Sequence, residues 1–240
     1  MKDINNIWII QKRLDTVLDN HFNERSRNAP LYLAVHPKEY ECASLHECIS
    51  SVGVHWSRIQ AINICAAPLN DIRAIVKVLL DRTPPNMITE ISLCRDIKKY
   101  DVNLKELPGQ DEYLFPRDSS HQALLESIIP TIRTLRLNKI DIYFGSISFH
   151  KLVEIQIECV ILGYKSDLHQ LLYALSSSSE LQIIKLINVI VLPSPVNSNG
   201  ENDWIMSTLR SSHTIPKLEV LHLQGLYFDV IQLVFGTGYP

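Results

Sequence analysis

His36, Cys42, His46 and Cys48 fall within 13 residues and could imitate a metal-binding set. A structural zinc site, however, combines C-x₂₋₄-C with a second matching pair downstream, and none of the five cysteines belongs to a C-x-x-C. Cys48 also shares the apolar side of a helical pattern with Leu45, Ile49 and Val52, which reads as a buried thiol. Cys65, Cys94 and Cys159 fall at or just past the ends of strand-like runs. A nucleophile at any of them needs a positioned base, and His55, His150 and His222 have no spacing that supplies one, so packing as small hydrophobes is the expectation. The carboxylates Asp141, Glu126, Glu154 and Glu158 show no acid–base spacing, and neither G-x-S-x-G nor H-E-x-x-H occurs. The Ser176-Ser177-Ser178-Ser179 run offers hydroxyls for phosphorylation, but a helix-to-strand turn explains it without a function. No catalytic residue, metal ligand or cofactor-binding residue is assigned on these grounds, and no cofactor is expected.

Composition narrows the classes further. Only 8 of 240 residues are Gly, and their positions write neither G-x-G-x-x-G nor G-x-x-x-x-G-K-S/T. The formal charge of -3 leaves no basic surplus for a phosphate backbone, which disfavours nucleic-acid binding. The longest nearly apolar stretch, residues 181–192, is interrupted by Gln182, Lys185 and Asn188 and is too short to span a bilayer. The first six residues lack the apolar run of a secretory signal. An odd cysteine count without framework spacing points to a reducing compartment, cytoplasmic or nuclear.

The residues that could recognise something must be positioned by elements, and these are marked by Leu and Ile, which number 31 and 29. One pattern recurs: apolar, two residues, apolar, one residue, apolar. It reads Ile59-x-x-Ile62-x-Ile64, Ile88-x-x-Ile91-x-Leu93, Ile132-x-x-Leu135-x-Leu137, Leu152-x-x-Ile155-x-Ile157, Leu181-x-x-Ile184-x-Leu186 and Leu218-x-x-Leu221-x-Leu223, with a weaker copy at Leu31-x-Leu33-x-Val35. Alternation at period two makes each copy a strand. Helical spacing appears between them. Leu45 to Val52 follows Ser44 as a candidate cap, Ile72 to Leu80 follows Asn70 and stops at Thr83-Pro84-Pro85, and Leu168 to Leu175 follows Ser166. A shorter helix at Leu125 to Ile129 closes at Pro130, a weak one is read near 204–209, and Ile10, Leu14, Val17 and Leu18 suggest an N-terminal helix.

Alternating strands and helices predict an α/β fold with a parallel sheet. Strands that share a motif favour a β/α solenoid, in which a curved parallel sheet carries helices on its convex side. The middle motif positions are separated by 29, 44, 20, 29 and 37 residues, so the repeats are irregular. Residues 100–118 and 193–202 are read as surface loops inside the longer gaps. The competing architecture is a doubly wound α/β sheet, in which buried parallel strands are apolar in any case.

The L-x-x-L-x-L spacing resembles the leucine-rich repeat, and its irregular period resembles the repeats of F-box proteins. Phe149-His150-Lys151-Leu152-Val153-Glu154-Ile155-Gln156-Ile157, and residues 168–186 with their helix, serine run and Glu180-Leu181-Gln182-Ile183-Ile184-Lys185-Leu186 strand, are similar to segments of fungal F-box-like proteins. Asn28-Ala29-Pro30-Leu31-Tyr32-Leu33 is similar to the first strand after the F-box in that family. The resemblance covers residues 28–234. It divides the chain into residues 1–27, an N-terminal helix and candidate F-box remnant with Ile7-Trp8-Ile9 as its tail, and residues 28–240, the leucine-rich-repeat-like domain. About 27 residues precede Asn28, fewer than the roughly 40 of a complete F-box, and the uncapped last repeat is expected of a shortened product. Where leucine-rich repeats carry Asn or Cys after the strand, this chain has Ala67, Asp96, Ile140, Val160, Val189 and Leu226, so its turns must be built differently.

The resemblance implies a non-enzymatic, substrate-recognition module of an F-box-type ubiquitin-ligase adaptor, with a protein target on the concave sheet face and the Skp adaptor as partner where an F-box is present. A repeat scaffold or inhibitor unrelated to ubiquitin is the alternative, and a small α/β enzyme with an unfamiliar site a more distant one. Stacked strands would align Tyr32, Asn63, Ser92, Arg136, Gln156, Lys185 and His222 across the concave face. This is a mixed polar strip with Tyr and Arg as anchors, although outward residues of any one-sided sheet alternate this way.

Overall fold

The repeated apolar positions are where the main chain pairs. The computed structural model describes residues 7–10, 30–35, 57–66, 68–82, 87–96, 109–145, 147–192 and 215–226. In chain order its strands are β1 (Ile7–Ile10), β2 (Leu31–Val35), β3 (Ile59–Ala66), β4 (Glu90–Arg95), β5 (Thr134–Asn138), β6 (Glu154–Glu158), β7 (Ile161–Tyr164), β8 (Ile183–Ile187), β9 (Ile190–Leu192) and β10 (Val220–Gln224). Eight of them form one parallel sheet in the order β1-β2-β3-β4-β5-β6-β8-β10, while β7 and β9 pair as a second, two-stranded parallel sheet. Spatial order follows chain order throughout the larger sheet. The reversal that defines the switch point of a doubly wound sheet does not occur among the described strands.

Each motif position has a physical role. The last two apolar residues point to the buried face, as with Ile155 and Ile157, and the residue between them points away. The first apolar residue lies just ahead of the strand; Ile132, Leu152 and Leu181 are fully buried there. Entry to each strand repeats one hydrogen-bond arrangement, in which a single carbonyl accepts two successive amides of the next unit. Arg133 and Thr134 N–H donate to Thr89 O, Val153 and Glu154 to Arg133 O, Gln182 and Ile183 to Val153 O, and Glu219 and Val220 to Gln182 O, all at 2.7–3.0 Å.

Exit from the strands repeats as well. Lys139, Cys159, Asn188 and Gly225, with φ of 56°, 53°, 52° and 63°, each follow a strand directly in the left-handed conformation. The turned amides of the first three donate to the end of the neighbouring strand: Lys139 N to Glu158 O at 2.9 Å, Cys159 N to Ile187 O at 2.9 Å, and Asn188 N to Gln224 O at 2.7 Å. The residues that follow, Ile140, Val160 and Val189, then turn into the core. The expected departure from the Asn or Cys turn is thus met by backbone handedness, with an aliphatic at the position where a polar side chain would bond the turn.

Three helices, α1 (Leu69–Arg82), α2 (Ser120–Ile128) and α3 (Lys165–Ser176), pack into the same core through Ile72, Ile75 and Leu79, Leu125 and Ile128, and Leu168, Leu171 and Leu175. α2 begins at an N-cap, with Ser119 Oγ accepting from Gln122 N at 3.1 Å. It ends in a 3-10 turn, Ile129–Thr131, that contains Pro130. The serine run is a set of structural ties. Ser178 Oγ donates to Leu152 O at 2.8 Å, and Ser177 Oγ both donates to Phe149 O at 3.1 Å and accepts from Phe149 N at 3.0 Å.

Several expectations are revised. Ile7–Ile10, of which Ile7-Trp8-Ile9 is expected to be the tail of an F-box remnant and Ile10 part of an N-terminal helix, is a strand paired with β2, because a β-branched and aromatic run fits a sheet edge; residues 11–29 lie outside the described set. α1 starts at Leu69, so Asn70 lies in its first turn and accepts from Arg73 Nη1 at 2.8 Å instead of capping. α3 starts one residue before Ser166, and its N-terminal tie is Asp167 Oδ2 accepting from Tyr164 N at 2.7 Å. The preceding Gly163, at φ +106°, leaves the space Asp167 fills. The far end of the 100–118 stretch is core and not surface loop. Leu114 and Phe115 are buried, Leu114 N donates to Asp141 O at 2.7 Å, and Arg73 Nε donates to Tyr113 O and Leu114 O at 3.2 and 3.0 Å. The helices read at 45–52 and 204–209 and the loop at 193–202 lie outside the described residues.

The turns generate a test. A Cβ on Gly225 would strike the Asn188 amide as well as forcing an L-residue to φ +63°, so Gly225→Ala is expected to lose about 1–3 kcal/mol in urea unfolding. Lys139→Gly relieves the same handedness and is expected to gain up to ~1 kcal/mol; a loss on that substitution contradicts the account of the turn.

Candidate functional site

The face of the large sheet opposite the helices is made by the residues that alternate with the apolar ones. Main-chain register arranges them in three rows. The middle row runs Ala34, Asn63, Ser92, Arg136, Gln156, Lys185, His222. Six of the seven residues expected in one strip therefore do align, from Asn63 to His222. Tyr32 does not: it registers with Ala61, one step earlier on the same face, and Ala34 takes its place beside Asn63. Three alternating apolar residues, Leu31, Leu33 and Val35, fix which face β2 presents but allow two registers, and the irregularity between Leu31 and Tyr32 opposite β3 selects the one observed.

The row containing Tyr32 continues through Ala61, Glu90, Thr134, Glu154, Ile183 and Val220, and the third row holds Cys65, Cys94, Asn138, Glu158, Ile187 and Gln224. Small side chains at Ala34, Ala61 and Ser92, among the larger Tyr32, Asn63, Glu90 and Arg136, leave a hollow of about 230 Å³ over β2 to β5. Pockets for small organic ligands generally run to ~300–1,000 Å³, so this one is scaled to one or two side chains. Its chemistry is mixed, with an aromatic wall, a carboxylate, an amide, a hydroxyl and the edge of a guanidinium.

Electrostatics on this face centre on Glu154. Arg136 donates to it through both arms, Nε to Oε1 at 3.1 Å and Nη2 to Oε2 at 2.8 Å, and Lys185 Nζ lies 3.6 Å from Oε1. The paired guanidinium holds the Glu154 carboxyl below the usual carboxylate range, and Glu154 in turn raises Arg136. Arg136 is thus already committed to a carboxylate. With Glu90 adding its charge nearby, the centre of the face is not an anion site. To either side the face is more apolar, with Tyr32 and Ala61 at one end and Ile183 and Val220 at the other.

Among the described residues the remaining titratable candidates include Asp141, Tyr113 and the cysteines Cys65, Cys94 and Cys159. Asp141 is almost fully buried, and desolvation pushes its carboxyl up to about 7. A carboxyl titrating there is the usual material of a general base, but Asp141 Oδ1 is occupied by Ile161 N at 3.1 Å, so it joins strands. Burial and the stacked Tyr143 ring, 4.0 Å away between centroids, push Tyr113 up. Cys65, Cys94 and Cys159 are all partly exposed, not packed as small core hydrophobes, because they lie on the open face or at its turn. Periodicity could have placed Cys65 and Cys94 there, since each follows its last apolar motif residue by one. His36, Cys42, His46 and Cys48 lie outside the described residues. Among the described residues no three His, Cys, Asp or Glu side chains come together as a metal set, and no helix is long and apolar enough to cross a membrane.

Two pH dependences follow. Because the Asp141 carboxyl is raised in the folded state, the stability of the fold is greatest below about pH 4 with respect to this group and declines as pH rises towards about 7. Asp141→Asn, which keeps the acceptor, is expected to melt higher than the parent at pH 8, by a free energy on the order of 2–4 kcal/mol, and to converge with it near pH 4. Glu154 has the opposite sign. Its contribution is present above the ordinary carboxylate range and is lost as pH falls through its depressed value. Glu154→Gln is therefore expected to lower the melting temperature at pH 7 and to make no difference in strong acid.

No family model matches the chain, and neither a curated protein nor a solved structure is similar to it.

Proposed function

We propose that this chain is a non-enzymatic protein-binding module, a leucine-rich-repeat-like β/α solenoid that holds a partner on the open face of its sheet. The observation that carries the reading is the hollow of about 230 Å³ set in a mixed-charge, in-register face. A surface with side-chain-sized relief, an aromatic wall and fixed ion pairs suits the side chains of a protein better than a small ligand. The unbroken chain order of the strands and the repeated entry and exit hydrogen bonds support stacked repeats.

The F-box-type role, recognising a substrate for a ubiquitin-ligase adaptor, rests on the resemblance of residues 149–157 and 168–186. In this reading the module acts by positioning its target, and the Skp adaptor is contacted by helices elsewhere in the protein; Ile7–Ile10, as a sheet strand, is not part of that contact. A scaffold or inhibitor role unrelated to ubiquitin uses the same face.

The test separates the two levels. Asn63→Arg with Ser92→Arg fills the hollow without entering the core, whereas Lys151→Glu changes an exposed site away from the face. In cross-linking from the source cells, specific partners are expected to be captured by the parent and Lys151→Glu and reduced about tenfold in the face variant, with circular dichroism unchanged. Equal capture by all three overturns binding at this face. Co-purification of the Skp adaptor with the chain extended by its upstream coding sequence is expected; its failure removes the ubiquitin-ligase role and leaves partner binding standing.

A further inference from the structure

Cys65 on β3 and Cys94 on β4 are directly registered neighbours on adjacent parallel strands, and both side chains belong to the open face. Registered neighbours on paired strands lie ~4.8 Å apart, inside the roughly 4.4–6.8 Å between Cα atoms that a disulfide bridges. Both thiols are partly exposed to solvent. Cys159 is different: its registered neighbour at the turn is Asn188, whose Nδ2 lies 3.8 Å from its sulfur, so it has no second thiol beside it among the described residues.

We propose that Cys65 and Cys94 form a site for thiol–disulfide exchange with low-molecular-weight disulfides of the glutathione class, closing a reversible bond across β3 and β4.

Burial, with Cys65 beside it, pushes the Cys94 thiol up to about 12, which makes Cys94 a poor first nucleophile, so the exchange is drawn as starting at Cys65. The Cys65 thiolate bonds to one sulfur of the glutathione disulfide and expels one glutathione thiolate, leaving a mixed disulfide at Cys65. Cys94 gives up its proton to solvent base as its sulfur displaces the second glutathione from Cys65, and the two released glutathione thiolates take up their protons from solvent. One disulfide is consumed and one formed, two glutathione thiols are released, and the protein dithiol is oxidised by the disulfide it consumed. Asn63 and Ser92, which line the hollow, lie two residues before these cysteines on the same strands. The bond would therefore staple the floor of the hollow, but the exchange itself does not depend on any partner binding there.

The test uses the full chain, incubated with oxidised glutathione under native conditions and quenched with acid before peptide mapping. The expected product is a linked pair of peptides containing Cys65 and Cys94, lighter by two hydrogens and restored by dithiothreitol. Cys159 accumulates only a mixed disulfide. In Cys94→Ser the exchange stops halfway, and the glutathione adduct at Cys65 is expected to rise at least about tenfold over the parent. Two free thiols after incubation, or a glutathione adduct that persists at Cys65 in the parent, overturns the proposal; comparison of the parent and Cys94→Ser circular dichroism spectra identifies any variant that fails to fold.

Discussion

The structure depends on the left-handed residue that ends its strands. At Lys139, Cys159 and Asn188 the residue's own amide reaches the end of the adjacent strand, and the following aliphatic drops into the core. This conformation costs an L-residue about 1–2 kcal/mol. It is offset by the burial of the Ile140, Val160 or Val189 side chain that follows. The same geometry sets the step from one strand to the next, and with it the alignment of Arg136, Gln156, Lys185 and His222 on the far face. The row on the open face is thus a consequence of how the turns are made.

A second ladder depends on one carboxylate. Behind the main sheet, Tyr113 bridges to Asp141 through the backbone, and Ile161 pairs with Ile190 through β7 and β9. Between these two pieces it is the Asp141 side chain that accepts the Ile161 amide, in place of a carbonyl. Burying a carboxyl for one hydrogen bond is unfavourable when it is ionised, which is why its titration is displaced so far. The fold thereby acquires a pH dependence at a point remote from the open face.

The open face combines rigidity with relief. Glu154 joins Arg136 and Lys185 across β5, β6 and β8. Such a partly exposed network contributes little to stability, but it fixes one wall beside the hollow. The hollow itself exists because β2 and β4 present Ala34 and Ser92 in the row where β5 presents Arg136, and β3 presents Ala61 in the row of Tyr32 and Glu90. Cys65 and Cys94 sit at the end of the same strands, so their state and the shape of the hollow share one framework.

By itself the sequence determined the α/β alternation, the positions of most strands and which side chains leave the core. These follow from period-two and helical spacing, which act locally and survive without knowledge of neighbours. It also contained the hint of an unusual turn, in the aliphatics Ile140, Val160 and Val189 where a polar residue is customary. Tertiary structure alone decided the register of β2, the pairing of Ile7–Ile10 with it, and the burial of Leu114 and Phe115 at the end of a polar stretch. It also decided the handedness of Lys139 and Cys159, residues with no intrinsic preference for that conformation, and the proximity of Cys65 to Cys94 across 29 residues of chain. Alternation can say which way a side chain faces, but which residue lies beside it depends on inter-strand hydrogen bonds that no local pattern encodes.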